Sequence, residues 1–210
     1  MTAPLPLTLC NLGAGPSHVL RQLKHPPAFD GWQELRIDID PTCRPDIVAD
    51  LMDLSQVVAD SSVDLIYCSH VLEHFFDHQV PLVLSEFARI LRPAGAAVMR
   101  LPDLALIFQA SADFDLERVL YPSPSGPITV LDVIYGHRKS IAAGNHYMAH
   151  RTGFTEASLA RRLLAAGFAE VQTRHGPSAE FCAVATRDDT AHAAQVAVLI
   201  NAMGSPKGST

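Results

Sequence analysis

The chain has 210 residues, of which 48% are hydrophobic, and sets 16 Lys and Arg against 22 Asp and Glu for a formal net charge of −6. That length and apolar content suit one domain with a full core, or one domain carrying an insertion. Lys and Arg are spread thinly, with no run beyond Arg161–Arg162, so the basic stripe of a phosphate-backbone grip is missing and no nucleic-acid partner is expected.

Leu5 to Leu12 (LPLTLCNL) is mostly apolar and runs into Gly13-Ala14-Gly15, which predicts a buried strand ending at a glycine turn. Pro16 and Ser17 open a helical pattern with Val19, Leu20 and Leu23, where a proline's missing N–H has no helical partner to lose. Gln33 to Asp40 (QELRIDID) alternates, with Leu35, Ile37 and Ile39 on one face, and reads as a second strand stopped by Pro41. Asp46 to Asp50 (DIVAD) reads as a short third strand. Its link to the second strand is too short for a crossover helix, yet five or six extended residues span about 20 Å and can return it in parallel. Ser62 to Ser69 (SVDLIYCS) is rich in β-branched and aromatic residues and predicts a fourth strand. A helix is expected over Gln79 to Leu91, with Val80, Val83, Leu84, Phe87, Ile90 and Leu91 on one face, Asp77 as its N-cap and Arg92-Pro93-Ala94-Gly95 as its stop. Ala96 to Leu101 is the next strand, closed by Pro102.

From Asp103 to Gly153 the rhythm breaks. A helix is expected over Leu104–Leu120, then a turn-rich PSPSGP, a further helix near Val130–Ala143, and the stretch GNHYMAHRTG. Thr155 caps a helix carrying Leu159, Leu163 and Leu164 and stopped by Gly167. Phe168–Arg174 and Glu180–Arg187 form a hairpin about HGPSA, a last helix covers Ala191–Met203, and the tail 204–210 is expected to be disordered. The sum is a single domain over 1–203 with 103–153 inserted as a cap. Its fold class is α/β: a doubly wound, mostly parallel sheet with an antiparallel C-terminal hairpin strand. Such sheets bind ligands at the carboxyl ends of their strands, near the point where strand order reverses.

Gly13 and Gly15 stand at that edge, where the backbone can approach a ligand and a helix start offers free N–H groups. Asp38, ending the second strand, can accept from both hydroxyls of a ribose, and Asp50 or its neighbouring N–H groups can meet an adenine at the end of the third. The third glycine of the dinucleotide fingerprint is replaced by His18. His70, Glu73 and His74 spell H-x-x-E-H, a spacing that on a helix lets two imidazoles share zinc. Here the motif follows a buried strand, and no separate segment offers a third ligand. No metal is therefore expected: Val71, Leu72 and Phe75 pack inward, while Glu73 and His74 shape the cleft or face solvent.

The runs CNLGAGP, RIDIDP, DIVADL, SVDLIYCSHVLEH and ILRPAGAAVMRLPD, with the terminal hairpin, resemble the class I S-adenosylmethionine-dependent methyltransferases. They are most similar to small predicted bacterial methyltransferases with an SHVLEH segment. The resemblance covers Leu5 to about Pro102 motif by motif and the C-terminal hairpin by topology. It implies the Rossmann-like methyltransferase fold and S-adenosyl-L-methionine as cofactor. It places the methionyl end at Leu12, Gly13, Ala14 and Gly15, the ribose at Asp38 with Ile39, the adenine at Asp50 and Leu51, and the methionine side at Ser69 and His70. Asn11 stands where the family has an acid, RPAG stands for KPGG, and the helix between strands two and three is missing.

Methyl transfer is an in-line displacement that needs alignment, water exclusion and, for a hydroxyl or amine acceptor, removal of a proton. The D/N-P-P-Y/F signature of amino-group nucleic-acid methyltransferases is absent after strand four. The insertion gathers Tyr135, His137, His146, Tyr147 and His150, and His137 or His146 is the expected base. The expected activity is methyl transfer to a small-molecule or saccharide-like acceptor. The alternative is a non-catalytic, regulatory S-adenosylmethionine-binding module. A nicotinamide-dependent oxidoreductase fits less well, given the hairpin and the missing glycine. The N-terminus shows no charged leader, no run reaches the roughly 18 apolar residues of a membrane helix, and the four cysteines, Cys10, Cys43, Cys68 and Cys182, form no C-x-x-C. These features predict a cytoplasmic protein with reduced thiols.

Overall fold

The computed structural model describes residues 6–111, 113, 115–123, 125–176 and 178–204, the last two by backbone only. The first residue of the expected opening strand and all but one residue of the expected tail lie outside these. In chain order the strands are β1 (Leu7–Leu12), β2 (Trp32–Asp38), β3 (Ile47–Val48), β4 (Val63–Ser69), β5 (Leu91–Pro102), β6 (Val119–Ser123), β7 (Gly126–Thr129), β8 (Glu170–His175) and β9 (Glu180–Thr186). The helices are α1 (Val19–Gln22), α2 (Val80–Ile90), α3 (Leu104–Ala110), α4 (Val130–Tyr135), α5 (Arg138–Ala142), α6 (Glu156–Ala165) and α7 (Ala193–Gly204).

Seven strands form one sheet in the order β3-β2-β1-β4-β5-β9-β8, while β6 and β7 pair separately. The first five run parallel, and β9 runs antiparallel to both β5 and β8. This is the doubly wound sheet with an antiparallel hairpin strand that the strand–helix alternation predicts. Alternation within strands fills two cores. In β4, Leu65 and Ile66 are adjacent and both fully buried, yet Leu65 packs with Val19, Leu20, Phe29 and Leu199, and Ile66 with Leu84, Phe87, Leu159 and Phe181. A sheet covered on both faces needs such continuous apolar strands.

The short return from β2 to β3 is parallel, with Ile37 opposite Ile47 and Asp38 opposite Val48. A 3₁₀ turn at Pro41–Cys43 and a left-handed Arg44 (φ 51°) make the reversal. Asp46 pins it by accepting the Arg36 N–H at 2.8 Å, and the Arg36 guanidinium donates to the Arg44 carbonyl at 2.6 Å.

Several expected boundaries move for identifiable reasons. Asp77 does not cap α2; its carboxylate takes Arg162 Nη2 at 2.6 Å and so ties the start of α2 to α6. The expected Leu104–Leu120 helix stops at Ala110. Ser111 Oγ turns back to the Ile107 carbonyl at 2.8 Å and Arg118 Nη1 takes the Ala110 carbonyl at 2.6 Å, so Val119 and Leu120 are free to enter β6. In the expected turn PSPSGP, Pro122 and Ser123 end β6 and pair with Pro127 and Gly126 of β7. The expected Val130–Ala143 helix breaks at Gly136, whose φ of 94° leaves the helical region and whose missing Cβ makes room for the Met148 carbonyl.

The segment between β5 and α6 has its own small core, in which Ile107, Val130 and Val133 are buried against Leu104, Tyr121 and Ile128. Thr129 and Asp132 close a capping box at the start of α4, and Arg138 ties Asp132 to Glu117. Backbone bonds clip this segment to the sheet edge: Leu104 N–H to the Phe154 carbonyl at 2.9 Å, and Arg151 N–H to the Glu73 carbonyl at 2.8 Å.

Candidate active site

Strand register brings Leu12, Asp38, Val48, Ser69 and Pro102 to one carboxyl edge. Gly13 and Gly15 both adopt positive φ, 65° and 55°. A side chain on Gly13 would collide with Val71, so the loop lies directly on the end of β4. Gly15 differs, with nothing within 4 Å of where a Cβ would stand, so its backbone is open to a ligand. Asp38 is 9% exposed and holds the loop in place: one oxygen accepts Gly15 N–H at 2.7 Å, the other Asp40 N–H at 2.9 Å. A carboxylate has about four acceptor positions, so each oxygen retains capacity for a hydroxyl. Ile39 is exposed beside it. Asp50 is half-buried and accepts Met52 N–H at 3.0 Å, and Leu51 is buried. The donor set and the open glycine fit an adenosyl group.

Sequence reasoning missed Glu34. Its carboxylate accepts Val19 N–H at 2.8 Å, Leu20 N–H at 3.0 Å and Asn11 Nδ2 at 2.9 Å. It supplies, from β2, the negative charge at the loop that Asn11 lacks, and the alternation of β2 gave no sign of that role.

Past β4 the chain makes a 3₁₀ turn at Leu72–His74, after His70 in left-handed conformation (φ 57°). The turn is too tight for the H-x-x-E-H helix face. Val71 and Leu72 are buried as expected and Phe75 is half-buried. Glu73 does not face solvent: its side chain is 1% exposed. His70 spans two carboxylates, with Nδ1 3.2 Å from Glu73 Oε1 and Nε2 3.6 Å from Glu180 Oε1, and Arg100 pairs with the other Glu180 oxygen. Burial works to lower the His70 pKa, but the contacts with Glu180 and Glu73 outweigh it and raise it to about 9. Burial pushes the Glu73 and Glu180 carboxyls upward, and their charged partners nevertheless hold both below the usual range. The His150 imidazole is pushed down, chiefly by burial.

Between this turn, the end of β5 and the inserted segment lies a cavity of about 220 Å³. Pro102, Leu104, Val133 and Ile134 supply apolar walls, Glu73 and His150 line its polar side, and the exposed rings of Phe108 and Tyr135 also face it. His137 is not among its lining residues; it sits at the start of α5 with Nδ1 2.7 Å from Ser140 Oγ. His146 is exposed in a 3₁₀ turn and is also outside the cavity. The structure therefore gathers Glu73, His74 and His150, and brings neither His137 nor His146 to them. Among the described residues, no helix is long and apolar enough to cross a membrane.

A sheet of this order, with a glycine loop facing acidic strand ends, has the Rossmann-like fold of the solved methyltransferases. Residues 10–99 match the family described as "Methyltransferase domain". Solved structures share the fold. One is a protein from Pyrococcus horikoshii OT3, 13% identical, with a TM-score of 0.59 over 85% of this chain and 81% of that one. Another is an S-adenosylmethionine-dependent methyltransferase from Archaeoglobus fulgidus, 12% identical, with a TM-score of 0.57 over 86% of each chain. A third is the 1,6-didemethyltoxoflavin-N1-methyltransferase of Burkholderia thailandensis, with 1,6-didemethyltoxoflavin and S-adenosylhomocysteine bound, 16% identical, with a TM-score of 0.52 over 88% of this chain and 72% of that one. No curated protein matches the chain. Residues 10–99 thus resemble a methyltransferase domain, and the solved methyltransferases share the fold of the chain.

Proposed function

We propose that the protein methylates a small-molecule or saccharide-like acceptor seated in the cavity beside Glu73. One observation carries this reading: a pocket of about 220 Å³ opens at the carboxyl ends of β4 and β5, under an inserted segment with its own core. Apolar walls with a few polar groups on one side suit a compact ligand, and Phe108 and Tyr135 offer ring faces to a sugar or heterocycle. Segment 103–153 is then the acceptor cap. The SHVLEH segment is read as the mark of a subgroup of small bacterial enzymes, because its turn builds the cavity's polar side.

The cofactor supplies an electrophilic methyl group when bound. The chain's own residues position it: Asp38 accepts the ribose hydroxyls, Leu12, Gly13, Ala14 and Gly15 carry the methionyl end, Ile39, Asp50 and Leu51 flank the adenine, and Ser69 and His70 border the methionine side. His70, positively charged at neutral pH, does not serve as a base. The acceptor's proton leaves at the polar side of the cavity, which Glu73 and His150 line. A base must come within about 3 Å of the proton it takes, so His137 and His146 are assigned to the framework of the cap.

A panel of small hydroxylated and amino compounds, sugars included, assayed for S-adenosylhomocysteine release, tests the reading. At least one should turn over, and Phe108→Ala and Tyr135→Ala should raise its KM more than they lower kcat. Cofactor binding with no turnover on any acceptor would favour the regulatory module. Activity confined to protein or RNA would overturn the small-molecule assignment.

A further inference from the structure

Glu73, His74 and His150 each offer one ligand atom, and these atoms all lie within 4.8 Å of one another. Glu73 Oε2 is buried and has no hydrogen-bond partner, while Oε1 is occupied by His70 at 3.2 Å. An unpartnered carboxylate oxygen out of water is expensive, so something of opposite charge is expected to meet it. The two imidazoles are oriented for that purpose. His74 Nδ1 lies 3.1 Å from the Ala149 carbonyl and His150 Nδ1 lies 2.8 Å from the Val133 carbonyl. A carbonyl only accepts, so each Nδ1 carries the proton, and in the neutral ring each Nε2 keeps a lone pair. Metal-ligating histidines are characteristically held in this way, through the second ring nitrogen by a backbone carbonyl or carboxylate. The rings meet edge to face at 4.9 Å rather than stacking, so both Nε2 atoms can converge on one point.

We propose that Glu73 Oε2, His74 Nε2 and His150 Nε2 hold a divalent transition-metal ion of the zinc type, with an open coordination position toward the cavity. Two imidazoles, one carboxylate and a free fourth place are the donor set of catalytic zinc sites. The softness and nitrogen content of the set disfavour calcium and magnesium, which take oxygen ligands. At zinc–ligand distances of about 2.0–2.1 Å the ligand atoms of a tetrahedral site stand roughly 3.3 Å apart, so loading draws the three side chains inward. The supporting contacts restrain that movement: the N–H groups of Arg151 and Thr152 both bind the Glu73 carbonyl, at 2.8 and 3.2 Å, and hold the segment after His150 against the turn that carries Glu73 and His74.

The site uses part of the H-x-x-E-H motif but not its zinc geometry. His70 orients Glu73 instead of ligating, and the third ligand comes from the far end of the cap. The proposal replaces the sequence-based expectation that no metal is held. What the ion does for catalysis rests on the acceptor reading above: an oxygen or nitrogen bound at the open position gives up its proton to water more readily. The binding of the ion itself does not rest on that reading.

The test uses the full-length chain, untagged and freed of metal by chelation, titrated with Co²⁺ and Zn²⁺ by calorimetry and visible absorption. One equivalent per chain should bind, with the visible bands of low-coordinate Co²⁺ erased by Zn²⁺. His74→Ala and His150→Ala should each weaken binding by more than about a hundredfold, beyond the ten- to hundredfold loss typical of an outer partner. His137→Ala and His146→Ala should leave it unchanged. Absent or substoichiometric binding, or binding indifferent to His74 and His150, overturns the proposal. Melting temperature and S-adenosylhomocysteine affinity on the same samples certify folding; if Glu73→Gln does not fold, the two histidine variants carry the test. Cofactor binding and turnover in a chain that takes up no stoichiometric metal would sink the site and spare the acceptor reading. Stoichiometric metal with no turnover on any small acceptor would do the reverse.

Discussion

The two sides of the carboxyl edge are built differently. On the β1–β2–β3 side, Asp38 and Asp50 satisfy themselves with backbone N–H groups at most 23 residues away, and the loop that Asp38 serves is a glycine turn. On the β4–β5 side, Glu73 stands near His150, at the far end of an inserted segment with its own core, and His74 bonds a carbonyl 75 residues away. The first is a rigid, locally encoded cradle. The second exists only while the cap is docked. In the proposed function the first side holds the cofactor and the second meets the acceptor.

This contrast sets the expected effects of substitution. Glu73→Gln removes a charge from the cavity side and should cut turnover by about a hundredfold or more, with a much smaller change in S-adenosylhomocysteine affinity by calorimetry. His137→Ala and His146→Ala should stay within a few-fold of the parent. Equal losses in turnover from all three would erase the distinction drawn within the cap.

Asp38→Ala should do the opposite, weakening S-adenosylhomocysteine by about ten- to hundredfold through loss of charge-assisted bonds of roughly 1.5–3 kcal/mol. Unchanged affinity in a folded variant would remove the ribose assignment. The glycines sharpen the point. Gly13→Ala drives a methyl into Val71 and should destabilise the fold by about 1–3 kcal/mol in denaturant titration. Gly15→Ala meets open space and should cost only the strain of its left-handed backbone, about 1 kcal/mol, less than Gly13→Ala, which adds a clash to that strain, while weakening the cofactor. Equal stability losses at both would mean that the loop is open nowhere.

The cap should also respond to acid. Burial pushes the Asp132 carboxyl up, but bonds from Thr129 and Arg138 prevail and hold it below its ordinary 3.8. A depressed carboxyl contributes stability above its unfolded value, and that contribution is lost as pH falls through the folded one. Protection factors for hydrogen exchange across 129–138 should therefore fall in acid before those of the sheet do, and Asp132→Asn should flatten the dependence. Simultaneous exchange in both regions would deny the cap a separate stability. The smallest effect is expected from Arg138→Ala, which breaks an exposed pair with Glu117 and a partly exposed one with the buried Asp132. Acceptor KM should rise by no more than about fivefold.

The same contrast explains what could be read from the sequence. Strands β1, β2, β4 and β5 and the closing hairpin follow from local alternation and turn residues, and even the helix-free return to β3 follows from chain reach. The cap was legible as an interruption but not in its elements. Ser111 and Arg118 end α3 through side-chain bonds that periodicity does not register, and Gly136 splits a helix because another segment's carbonyl packs against it. The proximity of Gly13, Gly15 and Asp38 was legible because they stand at the ends of two successive strands, and the structure joins them through the Gly15 N–H and the Asp38 carboxylate. His150 stood in the same histidine-rich stretch as His137 and His146, and only docking of the cap distinguishes it. Glu34 looked like an ordinary solvent-facing residue of an alternating strand until α1 folded over it.

The most direct single measurement is a crystal structure with S-adenosylhomocysteine and an acceptor or acceptor analogue. The ribose should lie on Asp38 and the adenine beside Asp50. The sulfur should sit between the Gly13–Gly15 loop and Ser69–His70, facing the cavity that holds the acceptor next to Glu73 and His150. A sulfur turned away from that cavity, or an acceptor bound on another face of the sheet, would contradict the division of the edge into a cofactor cradle and a cap-built acceptor site.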